Sequence, residues 1–230
     1  MSACNKADPT AGVLREGLVR RWLSLCRRLG LSGEVSAAGE IVMCRYAEPH
    51  RHYHNLSHVA ECLGLLDEHG SGADDPEAVE MAMWFHDVIY DIRSSDNEAR
   101  SALFAGDALR SLYLSPEKIK VIESLILATG HQTSSELADE RLVCDIDLSI
   151  LGQPESVYDA YALAILEETG LSEDDFARPR SDFLQHMLLK ETIFHTNPFR
   201  VLFETQARAN LRRELERLRP GNSEPSRQSR

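Results

Sequence analysis

The chain has 230 residues, 43% of them hydrophobic, and a net charge of −12. That composition supports a real core, while the negative charge opposes long nucleic acid, whose backbone calls for a basic footprint. No apolar run approaches the ~20 residues of a membrane span, and Met1–Pro9 lacks the pattern of a signal peptide.

The five cysteines (Cys4, Cys26, Cys44, Cys62, Cys144) form no C-x-x-C. They read as free thiols in a reducing compartment, so a cytoplasmic location is expected. In chain order, residues 1–11 are expected to be flexible. Gly12–Leu29 reads as an amphipathic helix, with Val13, Leu14, Leu18, Trp22, Leu25 and Leu29 on one stripe. Glu34–Tyr46 reads as a second. The histidine-rich stretch Glu48–His54 breaks the pattern, and a third helix starts near Asn55 or Ser57 and runs to His69. Asp75-Pro76 forms a cap with proline in the first turn, opening an apolar helix over Ala78–Tyr90.

Further helices are expected from Asp96 to Leu112, from Ser115 to Gly130 and from Glu140 to Leu151, the last after a polar loop reaching Ala138. Pro154–Thr169, Arg180–Phe194 and Pro198–Leu218 follow, and residues 220–230 are expected to be disordered. With no strand alternation and no repeat, the chain reads as all-α, with one domain over 12–219.

Three stretches carry polar groups where the pattern is apolar. His86 and Asp87 sit side by side at the end of the Ala78–Tyr90 run. A buried carboxylate needs a partner; a metal ion bound by both residues, a salt bridge or a capped helix end would each supply one. His54 and His58 are spaced by four, one helical turn apart, which suits two ligands, or one ligand and one proton carrier, or a solvated polar face. Asp145 and Asp147 interrupt Leu142–Ile150, and Asp147 lies slightly nearer the stripe formed by Leu142, Val143, Ile146 and Ile150.

In this order, His58, His86-Asp87 and Asp147 resemble the H…HD…D signature of the HD superfamily of metal-dependent phosphohydrolases. Tyr53-His54-Asn55-Leu56-Ser57-His58 and Asp147-Leu148-Ser149 are similar to motifs of its cyclic-nucleotide phosphodiesterase branch. A closer likeness is to a bacterial group of small predicted metal-dependent HD phosphohydrolases. It rests on Arg51-His52-Tyr53-His54, Phe85–Asp91, Asp96–Ala102 and Glu204–Leu211, and covers about 46–218. The group's Ile-Arg-x-Glu-Tyr stretch reads here Ile165-Leu166-Glu167-Glu168-Thr169, without the arginine.

The resemblance implies a helical HD-domain bundle with a central ion held by His58, His86, Asp87 and Asp147. Two nitrogens and two carboxylates suit Mn²⁺, Fe²⁺, Co²⁺, Ni²⁺ or Zn²⁺ better than Ca²⁺. His54 would protonate the leaving oxygen. Glu98 is expected to take a catalytic part by orienting water or a ligand histidine, with capping or a salt bridge as the plain alternative; Asp91 is open to the same choice. Arg51 and His131 are expected to bind the substrate phosphate, with an exposed or solvated side chain as the alternative for each.

The expected activity is hydrolysis of a small phosphate ester, a nucleotide above all, with neither membrane nor long nucleic acid as partner. A metal-stabilised nucleotide-binding or sensing module without turnover is the alternative. A di-iron HD oxygenase is disfavoured, because His131 is the only further histidine between the His-Asp pair and Asp147.

Overall fold

The computed structural model describes residues 9–131 and 135–219. Among them lie ten α-helices and no strand: α1 (Pro9–Arg28), α2 (Val35–Arg45), α3 (Leu56–His69), α4 (Pro76–Phe85), α5 (Asn97–Ser111), α6 (Pro116–Ala128), α7 (Ala138–Leu148), α8 (Glu155–Thr169), α9 (Glu173–Leu189) and α10 (Asn197–Arg217). The protein is all-α. Its helices group into two compact units, Met1–Asp147 and Leu148–Arg230. The expected N-terminal flexible stretch falls largely outside the described residues, although α1 begins at Pro9 rather than Gly12. The expected tail, 220–230, lies outside them entirely. No described helix is long and apolar enough to cross a membrane.

In the first unit α4 is the core element. Every residue from Ala78 to Phe85 is buried, and α4 packs against α1, α3, α5 and α6. Its start follows the sequence closely: Asp75 accepts a hydrogen bond from the Ala78 N–H, and Pro76 occupies the first turn, where no amide donor is missed. Trp22 of α1 meets Trp84 edge to face at 5.5 Å between centroids. Asn55 caps α3 by accepting from the Ser57 N–H, and Val59, Cys62, Leu63 and Leu66 form its buried stripe.

Three further helices depart from expectation at one end or both. α4 stops at Phe85, so His86 and Asp87 lie in the turn beyond it, with His86 still hydrogen-bonded to the Ala82 carbonyl. α7 runs from Ala138 to Leu148 and tightens into a 3₁₀ turn, Ser149–Gly152. α9 begins at Glu173 and ends at Leu189. Pro179 looks like a breaker but sits inside it, because the start is strongly set: Ser172 accepts from the Asp175 N–H and three acidic residues occupy the first turn.

In the second unit the 3₁₀ turn packs on α10. Gly152 allows it: a Cβ there would stand 2.7 Å from the Phe203 carbonyl oxygen and 2.8 Å from its Cα. Backbone atoms cannot swing aside as a side chain can, so no larger residue fits.

Candidate metal centre

Three segments of the first unit meet at one point. α3 brings His58, the turn after α4 brings His86 and Asp87, and the end of α7 brings Asp147; one ligand atom from each lies within 4.8 Å of all the others. The two histidine Nε2 atoms are 3.0 Å apart. Asp147 Oδ1 is 3.5 Å from His58 Nε2 and 3.6 Å from His86 Nε2. Asp87 Oδ2 is 3.2 Å from His86 Nε2 and 3.9 Å from His58 Nε2. Around an ion with bonds of about 2.1 Å, neighbouring donors stand roughly 3.0 Å apart in an octahedron and about 3.4 Å in a tetrahedron. The four side chains therefore fit a single divalent ion, and this His/Asp group could hold one.

The surroundings prepare the donors. His86 Nδ1–H donates to the Met83 carbonyl at 3.0 Å, which turns Nε2 toward the other three residues. Burial pulls His86 toward neutrality, but the charges of Asp87 and Asp147 outweigh it and push its pKa up to about 9. Burial also opposes ionisation of both carboxylates, yet the histidines hold them below the usual carboxylate range. Without an ion, a proton on His86 thus balances part of the negative charge. A dication would have to expel it.

Cys62 forms a second, overlapping candidate group with His58 and His86. Its sulfur is 3.7 Å from His58 Nε2 and 3.8 Å from Nδ1. Burial raises its thiol pKa well above normal, and the nearby carboxylates add to that.

The other expected site residues divide. His54 lies in the turn before the cap of α3, not on the helix itself, with Nε2 3.9 Å from Asp87 Oδ2 and its ring stacked on Tyr90 at 4.1 Å. His131 reaches the group: its Nε2 is 2.9 Å from Asp147 Oδ2, and its left-handed backbone, φ 53°, places it there. In this arrangement it holds the second oxygen of a candidate ligand. Asp145 is fully buried but is not one of the four. Glu98, half-buried on α5, lies against Gly130 beside His131 and has no hydrogen bond or ion pair among the described residues. Asp91 takes the salt-bridge alternative, accepting from the Arg93 N–H in a local turn and standing 3.6 Å from Arg93 Nε.

Arg51 corrects the sequence reading. Expected to clamp a phosphate, its side chain is 0% exposed. It donates from Nη1 to the carbonyls of Asp87 (2.6 Å) and His54 (3.2 Å), from Nη2 to that of Val88 (3.1 Å), and from Nε to Glu48 (3.1 Å). A guanidinium so engaged has no free edge for a ligand. The carbonyls of Asp87 and Val88 lie just past the end of α4, where no helical N–H follows to satisfy them, and Arg51 does so instead.

Two motifs that resemble the HD group also turn out to be structural. Asn97 Oδ1 accepts from the Asp91 N–H and its Nδ2 donates to the Asp91 carbonyl. One turn later on α5, the Ser101 hydroxyl accepts from the Ile89 N–H and donates to the Ile89 carbonyl. Together they fasten the chain after His86-Asp87 as a neighbouring strand would. In the second unit, Glu204 accepts the N–H groups of Ile193 and Phe194, and Arg208 donates to the carbonyls of Leu188, Lys190 and Glu191 at the end of α9.

Sequence reasoning missed Tyr46. Its hydroxyl donates to the Trp84 carbonyl and accepts from the Asp87 N–H, both at 3.2 Å. Nothing in its sequence neighbourhood signals this, since it ends an ordinary amphipathic helix. Tyr90 was visible only as a letter of the Phe85–Asp91 motif. Compared with known proteins, the chain matches no family model, no curated protein and no solved structure.

Proposed function

We propose that the protein is a metal-dependent phosphohydrolase of the HD type that acts on a small phosphate ester, a nucleotide above all. The observation that carries this reading is the convergence of His58, His86, Asp87 and Asp147. Two imidazoles and two carboxylates are a donor set for Mn²⁺, Fe²⁺, Co²⁺, Ni²⁺ or Zn²⁺. Such an ion supplies a Lewis acid and a bound water acidic enough to serve as nucleophile near neutrality.

The chain's own residues account for the rest. His54, steadied by Tyr90, sits beside Asp87 where it can hand a proton from Nε2 to a leaving oxygen. His131 keeps Asp147 oriented toward the ion. With Arg51 turned inward, the charge that meets the phosphate is that of the ion and of His54. This suits one or two phosphates rather than a polymer, in keeping with the net charge of −12. Cytoplasmic residence belongs to the same proposal.

The test is elemental analysis of the purified protein with a hydrolysis panel: nucleoside mono-, cyclic and triphosphates beside single- and double-stranded oligonucleotides, with Mn²⁺, Co²⁺ or Ni²⁺ added. Release of phosphate or nucleoside from a small ester is expected. His54→Ala should keep its metal and lose roughly 10²–10⁴-fold in turnover, the scale of a general acid. Full metal content with no hydrolysis would leave a binding or sensing module in place of this reading. Two irons per chain with uptake of O₂ would mean an oxygenase.

A further inference from the structure

The ligand-bearing turn after α4 has few backbone bonds of its own. The last local one is Val88 N–H to the Phe85 carbonyl, and the Asp87 and Val88 carbonyls point at Arg51. The same guanidinium holds the His54 carbonyl, on a segment more than thirty residues earlier in the chain. Its Cζ lies over the rings of Tyr46 and Tyr90, 5.2 Å and 5.5 Å from their centroids. Both rings lead back to the site, since Tyr46 accepts the Asp87 N–H and Tyr90 stacks on His54. One side chain therefore reaches both segments by two routes each, one through carbonyls and one through a ring.

We propose that Arg51 is a positioning residue: it holds the His54 turn and the His86-Asp87 turn in register, so that ion affinity depends on a side chain that touches neither ion nor substrate. This rests on the metal-binding part of the functional reading and not on hydrolysis. The chemistry needs arginine in particular. The planar fork spreads its donors over three carbonyls and Glu48, whereas a lysine ammonium concentrates three donors on one atom.

The experiment compares Arg51→Lys and Arg51→Gln with Arg180→Lys. Arg180 is an equally buried arginine whose partners Tyr161 and Glu214 lie in the second unit. Mn²⁺ affinity is read from the free-ion EPR signal, folding from thermal melts, and the site from the NMR signals of the His54 and His86 rings. Both Arg51 variants should bind Mn²⁺ at least ~10-fold more weakly, the scale for groups behind a ligand, with both ring signals displaced. Arg180→Lys should lose thermal stability while keeping wild-type affinity and ring signals. Unchanged affinity and rings in Arg51→Lys would overturn the proposal, and so would an equal loss of affinity in Arg180→Lys. If the wild type binds no Mn²⁺, Co²⁺ or Zn²⁺, the metal reading falls, and the ring signals alone then decide whether Arg51 positions these turns.

Discussion

Each unit buries a cluster of polar side chains, and the two clusters are satisfied in opposite ways. In the second unit, donors and acceptors match. Arg180 grips Glu214 with Nε at 2.8 Å and Nη2 at 3.0 Å, donates to the Tyr161 hydroxyl at 3.2 Å, and the Tyr158 hydroxyl donates to Glu214 as well. Each ion is neutralised by its partner. In the first unit, His58, His86, Asp87 and Asp147 aim lone pairs and carboxylate oxygens at one point, with no fixed cation among them. A closed ion pair explains itself, whereas a converging set of acceptors calls for a positive charge, either a proton on His86 or a metal ion. On the proposed reading, the difference separates burial that serves structure from burial that serves a ligand.

Removing members of each cluster tests the contrast most strongly. Alanine at His58, His86, Asp87 or Asp147 should weaken divalent-ion binding by more than about 100-fold, beyond the effect of groups that only support ligands. Isothermal titration with Mn²⁺ or Co²⁺ checks this. A chelator should lower the melting temperature of the wild type and leave that of these variants almost unmoved, because only the wild type has binding energy to lose. Asp145→Asn, in contrast, should keep its metal.

In the second unit Glu214→Ala should cost about 3–5 kcal/mol in denaturant unfolding, since it strands a buried guanidinium. Replacing the interacting groups together, as Arg180→Met with Glu214→Leu and Tyr158→Phe, should recover most of that loss, because apolar groups of similar volume need no partner. No apolar pair should restore ion binding in the first unit. A combined variant as unstable as Glu214→Ala would erase the distinction.

His131→Ala should weaken ion binding by roughly 10–100-fold, as expected for a side chain that orients a ligand from behind. A larger loss, equal to that of Asp147→Ala, would make His131 a ligand itself.

A further expected effect is on pH dependence. In chelated protein the folded pKa of His86, about 9, lies above the ordinary histidine value of 6.5. Protonation therefore favours the folded state; that stabilisation is complete below about pH 6.5 and is lost as pH rises through about 9. The depressed carboxylates act oppositely, contributing above their ordinary 3.8 and losing that contribution on acidification. Chelated protein should melt at progressively lower temperature from about pH 6.5 to 9. Over the same range Mn²⁺ should bind more tightly, because ion and proton compete for His86. The two arms are melting curves and titrations at matched pH.

The helices were legible because local signals dominate them. Asp75-Pro76, Asn55 and Ser115 mark starts that a side-chain oxygen sets within three residues, and the stripes of α3 and α6 repeat at helical spacing. The early start of α9 was not legible, because Pro179 carries a strong breaker signal that Ser172 and the acidic first turn override. Nor was the end of α4 at Phe85, since the apolar run continues through Ile89 and nothing local stops it.

By itself the sequence determined the all-α class, the absence of any basic footprint and the position of each polar group stranded in an apolar run. Burying a charge is costly enough that such groups stand out from composition and spacing alone. It did not determine direction. It favoured Asp147 over Asp145, and the group does include Asp147; but that His131 stands behind it and that Arg51 faces inward were decided by tertiary structure. The reason is the same in each case: a side chain takes its role from the nearest unsatisfied partner, and the carbonyls that claim Arg51 are exposed by a helix end more than thirty residues away in the chain.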